Sequence, residues 1–415
     1  MIRFVLADLG TRRLGALLLV LIIAFATGLG VLVTLQERAL RLGSARAAAA
    51  FDLVVGAPGS ETQLVLSAVF LQPAPLTLVP GEVMARLSAD PRVAFAAPVG
   101  FGDFAGASPI VGTTTAMLRA LGGLRAGHGL EQLSDAVVGA KVPHALGDTL
   151  VPMHGQIEAG GHVHAGIAYH VVGQLAPTGT PWDRAVLVPI QAVWQVHEHE
   201  HEHEHGVGAG AADDDDDDEA HAPLAGPVDE AAARRADAPG VPAIVVKPVS
   251  IAAAYSLRQS FRGHGTLAVF PGEVLARLYG TMGDARKVLA LVAAGAQGLV
   301  GAAILLVVMA EVMQRRRQIG ALRAFGAARG AVFALVWMES FLLLALGVVA
   351  GVGVGTAGAW ALSAGLERQA GIALPVELAG GDLLQAGLLL ALGAGAALLP
   401  AVLAYRQSPA EVLRG

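Results

Sequence analysis

The sequence predicts an integral membrane α-helical fold: four transmembrane helices, with a large mixed α/β extracytoplasmic domain between spans one and two. Three observations carry that prediction. Of 415 residues, 54% are hydrophobic and only 15% charged, and the mean hydropathy is +0.59. A soluble chain of this size carries about 25% charged residues, so part of this surface faces lipid. Four long stretches lack charge altogether: 14–36, 288–310, 340–366 and 383–405. Finally, basic residues gather beside those stretches, while the 249 residues from 37 to 285 hold 15 Lys/Arg against 27 Asp/Glu.

In chain order, residues 1–13 form a cytoplasmic N-terminus carrying Arg3, Arg12 and Arg13. Span one, 14–36, contains LGALLLVLIIAFATGLGVLV and reads as a retained anchor, since the run is longer than the usual signal-peptide core. About 20 apolar residues cross a ~30 Å hydrocarbon layer, so 288–310 is span two, 331–366 the region of span three and 383–405 span four. Between spans two and three, 311–329 is a cytoplasmic hairpin; 367–382 is a short outer loop and 406–415 a cytoplasmic tail. Arg3, Arg12, Arg13 and Arg315–Arg317 flank spans one and two, so basic flanks place both termini inside.

The outer domain, 37–287, opens and closes on helix-forming stalks, QERALRLGSARAAAA at 36–50 and GEVLARLYGTMGDARK at 272–287. Between them, FDLVV (51–55), VAFAAPV (93–99), HVVGQL (170–175), RAVLVPI (184–190) and AIVVKPV (243–249) read as strands separated by Gly, Pro and Asp. PGEVMARL at 80–87 and PGEVLARL at 271–278 agree at all but one position. Pro-Gly-Glu suits a strand-to-helix turn, with the carboxylate near the positive helix end. Duplication of a half-domain and coincidence both account for the echo.

The insert at 197–240 is different in kind. His197 to His221 holds HEHEHEHEH and a run of six Asp with no basic residue, so it builds no core. In an extended chain His197, His199, His201, His203 and His205 share one face; in a helix His197, His201 and His205 align. Neutral imidazole suits zinc, copper or nickel, and His221 and the upstream His154, His162, His164 and His170 extend the supply. Two readings stand: a zinc-binding insert, and a solvated low-complexity loop that binds metal incidentally.

Several chemistries are excluded. The three lysines, Lys141, Lys247 and Lys287, are never followed by Ser or Thr, so no G-x-x-x-x-G-K-[ST] loop exists. If ATP drives this protein, another chain hydrolyses it. With no cysteine there is no disulfide, thiolate zinc site or Cys nucleophile, and no G-x-S-x-G elbow occurs. The chain reads as non-catalytic, with no cofactor of its own.

In the hairpin, Arg315, Arg316 and Arg317 mark the membrane exit. Gln318–Phe325 forms a short helix with Ile319 and Leu322 on one face, Gly320 and Arg323 within it, and Gly326 ending it. An apolar knob on a basic helix suits a groove on a soluble partner. Glu339 lies at membrane depth, where an ionisable group is costly. Gly347, Gly351 and Gly355 recur at four-residue spacing and permit close helix approach, with a second membrane chain as one candidate partner.

The segments RRRQIGALRAFGAARG, WMESFLLLALGVVAGVGVG and PAVLAYRQSPAEVLRG resemble the signature of FtsX-like permeases of ABC transporters, the MacB/LolC group. Pro400, Ala404, Arg406, Pro409, Glu411, Leu413 and Arg414 fill the tail pattern. FDLVVGAPGS, DPRVAFAAPV, IVGTT and VVGQLAPTGTPWDRAVLVP look like the group's MacB-type periplasmic core. The resemblance implies a permease domain at about 288–410 and a bacterial inner-membrane location. It also implies a dimeric cytoplasmic ATPase binding ATP and Mg, paired with two permease copies or paralogues. The hairpin would then be the coupling helix, docking Gln318–Ala327 on the ATPase. Glu339 would pack at a helix or subunit contact. ATP-driven movement of the outer domain, passed along the stalk, would serve export, lipoprotein release or mechanotransmission to a periplasmic partner or cargo. Two other readings stand beside this one: an FtsX-like regulator of a periplasmic enzyme, and a membrane-anchored zinc sensor or chaperone using the His/Glu insert.

Overall fold

The computed structural model describes residues 13–154, 162–163, 167–196, 224–263, 265–281 and 327–406, with single positions at 291, 295, 298 and 302. The chain divides into two compact units: Met1–Arg41, Thr281–Gly365 and Leu374–Gly415 in one, Leu42–Gly280 and Leu366–Ala373 in the other.

Helix α1 runs unbroken from Arg13 to Ala49. No proline interrupts it, so every interior N–H keeps its i−4 acceptor, and at 1.5 Å per residue it is a rod about 55 Å long. The expected stalk of 36–50 is thus one helix with span one.

In the second unit the described strands join one mixed sheet in the order β12-β1-β11-β2-β3-β10-β5-β9-β4. These are β1 Leu53–Gly56, β2 Val93–Ala105, β3 Ser108–Thr113, β4 Leu124–Gly127, β5 Asp135–Val138, β9 Tyr169–Leu175, β10 Val186–Pro189, β11 Ala243–Pro248 and β12 Leu267–Val269. The short strands β6 Thr149–Leu150, β7 Met153–His154 and β8 His162–Val163 lie off this path. β2 links the halves: its start pairs antiparallel with β11 and its end with β3, across an irregularity between Phe101 and Phe104. β3–β10 and β5–β9 pair in parallel. All five strand runs expected from sequence lie on strands; β3, β4, β5 and β12 were not among the expected runs.

Side-chain alternation sorts the core by face. Val54, Val137, Leu187 and Val245 enter one cluster. Their neighbours Val55 and Ile244 enter a second, and Ala136 and Val186 a third. With both faces covered, the strands read as continuous apolar runs. The first face is covered by α2 (Glu61–Phe70), α4 (Thr115–Ala120) and α7, described over 271–281, together with the end of α1 through Ala47, Ala48 and Phe51. The opposite face carries α3 (Gly81–Ala89) and α6 (Ile251–Ser260) over one half, and α5 (190–196) over the other. Both Pro-Gly-Glu sequences begin helices, α3 and α7. Ser60 and Ser250 cap α2 and α6 by accepting from Gln63 and Ala253 N–H.

In the first unit, α8 spans Arg329–Ala370, its last turn belonging to the second unit. α9 (Gly380–Ala396) and α10 (Leu398–Arg406) follow, separated by a turn at Ala397. The sequence reads 383–405 as one span; the break at Ala397 falls just before Pro400, which has no N–H to donate to the i−4 carbonyl. Among the described residues two helices, Arg13–Ala49 and Arg329–Gln369, are long and apolar enough to cross a bilayer, and Gly380–Ala396 is apolar but shorter. Span two, 288–310, lies outside the described residues except for 291, 295, 298 and 302.

Candidate functional site

The first unit is built on close contact between α1 and α8. A Cβ placed on Gly351 would lie 2.6 Å from Thr27 Cβ and 2.7 Å from the Ala24 carbonyl oxygen. On Gly355 it would lie 2.5 Å from the Gly28 carbonyl oxygen, and on Gly347 2.5 Å from Ile23 Cβ. The two backbones therefore meet directly, as small residues allow between helices in lipid. The glycine stripe that the sequence offers to a second permease is occupied by α1 of the same chain. Its partner face, Ala24 and Gly28 on α1, is a small-xxx-small pair at the same four-residue spacing, a signal present in the sequence but not read there.

On its other side α8 meets the last two helices. Trp337 Nε1–H donates to the Ala394 carbonyl at 3.0 Å, and its ring stacks on Phe341 at 5.3 Å. Val332 and Val336 bury against Ala401.

Just beyond the apolar runs, a polar clasp joins α1 to the start of α9. Arg38 donates from both terminal nitrogens to Asp382, at 2.7 and 2.8 Å, and also to the Glu377 carbonyl at 3.1 Å. Asp382 in turn accepts the Ala379 N–H at 2.8 Å. Nearby, Ser363 on α8 donates to Gln36 Oε1 at 3.2 Å. The Asp382 side chain is only 9% exposed. The hydrogen bond from Arg38 holds its carboxyl below the usual carboxylate range, outweighing the opposing effect of burial. The paired carboxylate likewise raises the Arg38 guanidinium. Two-point planar recognition of this kind fixes orientation as well as charge. Its sequence signal is faint: single opposite charges just outside spans one and four.

Glu339 lies half-buried on α8. The hairpin residues Arg315, Arg316, Arg317, Gln318, Ile319, Gly320, Leu322, Arg323 and Gly326 fall outside the described residues, as do His197, His199, His201, His203, His205 and His221. Read as a string, the repeat also spells H-E-x-x-H from His197, again from His199 and again from His201. Strict alternation generates the pattern at every step, so it carries no weight as a metalloprotease motif. Among the described residues no group of three or more metal-ligating side chains gathers; β7 and β8 do set His154 opposite His162.

In the second unit the sequence TGTPWDR builds a rigid turn. Asp183 accepts from the Thr178 N–H and hydroxyl, both at 2.7 Å, and from the Gly179 N–H at 2.9 Å. Trp182 is fully buried. Its indole N–H donates to the Val69 carbonyl at 3.2 Å, and its ring lies 5.9 Å from that of Phe51. Burial raises the Tyr169 hydroxyl above its ordinary range, with the nearby Asp103 charge adding to it.

Residues 290–409 match the FtsX-like permease C-terminal family. The periplasmic region of MacB from Actinobacillus actinomycetemcomitans is a structural match at 10% identity and a TM-score of 0.33, covering 56% of this chain and 95% of that one. Comparison with curated proteins gives no match.

Proposed function

We propose that this membrane protein, whose residues 290–409 match an FtsX-like permease C-terminal domain, is the permease subunit of an ABC-type transporter. In this reading it crosses the bacterial inner membrane four times, with both termini cytoplasmic and 37–287 in the periplasm. The hairpin 311–329 docks on a partner ATPase through Ile319 and Leu322, with the flanking arginines at the lipid headgroups. ATP and Mg bind that partner and not this chain, which has no phosphate-binding loop. Two permeases, identical or paralogous, work over an ATPase dimer, and ATP-driven movement reaches the outer domain through α1. The work done there is export, lipoprotein release or mechanotransmission.

The observation carrying this reading is the family match over 290–409, which includes the hairpin. FtsX-like permeases work with an ABC ATPase in general. The unbroken α1 and its backbone contact with α8 add support, since a stiff helix clamped along its length passes on displacement without buckling.

Co-purification tests it. The tagged full chain is extracted in mild detergent, and the retained proteins are identified by mass spectrometry. A P-loop ATPase in the eluate, lost with I319D/L322D, is the expected result. Its absence across several mild detergents would overturn the reading.

A further inference from the structure

Leu366–Ala373, the last turn of α8 and the residues just after it, is a built part of the second unit, although it lies far along the chain from the rest of that unit. Gly371, at φ +73°, ends α8 by donating its N–H to the Glu367 carbonyl at 2.9 Å, the left-handed glycine cap of a helix. The same glycine sits flat on the 178–184 turn, where a Cβ would come within 2.9 Å of Arg184 Cδ and 3.2 Å of Pro181 Cα. Next along the chain, Ile372 packs against the cluster that holds Trp182. Ala373 N–H donates to the Gly179 carbonyl at 3.2 Å. Glu367 Oε1 accepts from Lys141 Nζ at 2.7 Å.

The seat for these contacts is firm. Lys141 N–H donates to the Asp183 carbonyl at 2.7 Å, and the Asp183 carboxylate braces Thr178 and Gly179. Trp182 hangs from Val69. The last residues of α1, Ala47 and Ala48, together with Phe51, enter the same cluster as Ile372.

We propose that Leu366–Ala373 is a tether. It joins the end of α8 to the 178–184 turn, so that movement of α8 reaches the core around Trp182 in parallel with movement of α1. Glu367 and Gly371 are its positioning residues: one supplies the ionic anchor, the other a surface flat enough to sit on Pro181 and Arg184. The tether is a fixed attachment, not a latch that opens. Its docking stands by itself; its use in driving the outer domain rests on the transporter reading.

The chain has no cysteine, so an introduced pair reports without background. A Cβ on Gly179 would lie 3.7 Å from Ala373 Cβ, inside the 3.5–4.5 Å range of disulfides. In the full chain in nanodiscs, G179C/A373C should cross-link under mild oxidation, despite the backbone strain of a side chain at Gly179. Adding E367K should slow cross-linking about threefold, the scale of an exposed ion pair, and K141E/E367K should restore it. G371V should slow it at least tenfold. A pair that does not cross-link, or a rate indifferent to E367K, overturns the tether whatever the protein's function.

The second readout uses the complex with the co-purified ATPase: the change in hydrogen exchange at 178–184 on adding ATP and vanadate. The oxidised G179C/A373C protein should keep that change, and E367K and G371V should reduce it severalfold with ATPase still bound. Loss of the change on oxidation would overturn the fixed attachment. Failure to recover any ATPase would sink the transporter reading and leave the cross-linking result intact.

Discussion

At Gly351 a single hydrogen atom is the difference between packing and collision. The position a Cβ would take is already filled by Thr27 and the Ala24 carbonyl, so G351L must push α1 and α8 apart. Overpacking of this order costs about 1–3 kcal/mol, and G351L should lower the thermal unfolding midpoint in detergent, while G353L, at an exposed position with open space around it, leaves it nearly unchanged. Asp382 gives a pH signature. Its carboxyl titrates lower in the folded chain than in the unfolded one, whose value is about 3.9. The Arg38 pair therefore contributes fully above that value, and its contribution disappears as pH falls through the folded value. D382N should cost about 1–3 kcal/mol at pH 7. The stability gap between it and the wild type should hold above the unfolded value and narrow only as the pH falls below it, followed by thermal melts across the range. A gap independent of pH would mean that the charge of Asp382 is not what stabilises the clasp.

At the scale of elements, the chain divides into parts whose pattern spells their structure and parts that only packing reveals. The apolar runs of β1, β2, β9, β10 and β11 were legible because both faces of the sheet are covered, which leaves no polar alternation to confuse them. The stalk was legible as a proline-free, helix-forming continuation of span one. What stayed hidden is long-range. No spacing rule links Gly28 to Gly351, Arg38 to Asp382 or Lys141 to Glu367, because each pair lies far apart in sequence. Leu366–Ala373 looks like part of an ordinary outer loop until Gly371 is seen against Pro181. The His/Asp insert follows the opposite logic: its flanks Val196 and Leu224 are buried in one cluster, so the fold closes on either side of it. Replacing 197–221 with a short Gly-Ser linker should change stability by less than about 1 kcal/mol, since loop-closure entropy varies slowly with length. A large loss on thermal melting would show that the insert is structural.

For the whole molecule, the membrane class followed from composition and the resemblance to FtsX-like permeases from motifs concentrated in 311–340 and 400–415. The family match confirmed that resemblance over 290–409. The hairpin that carries the functional argument is legible only as sequence, being basic at its start and apolar on one face. The central claim is that this chain converts a partner's ATP cycle into movement through that hairpin, and one measurement bears on it most directly: ATP hydrolysis by the co-purified complex in nanodiscs, wild type against I319D/L322D, with the ATPase supplied at equal concentration. The account predicts hydrolysis that depends on the permease and falls at least tenfold in the variant, while thermal melts show the membrane chain still folded. Hydrolysis unchanged by the substitution, in a complex that still assembles, would contradict it.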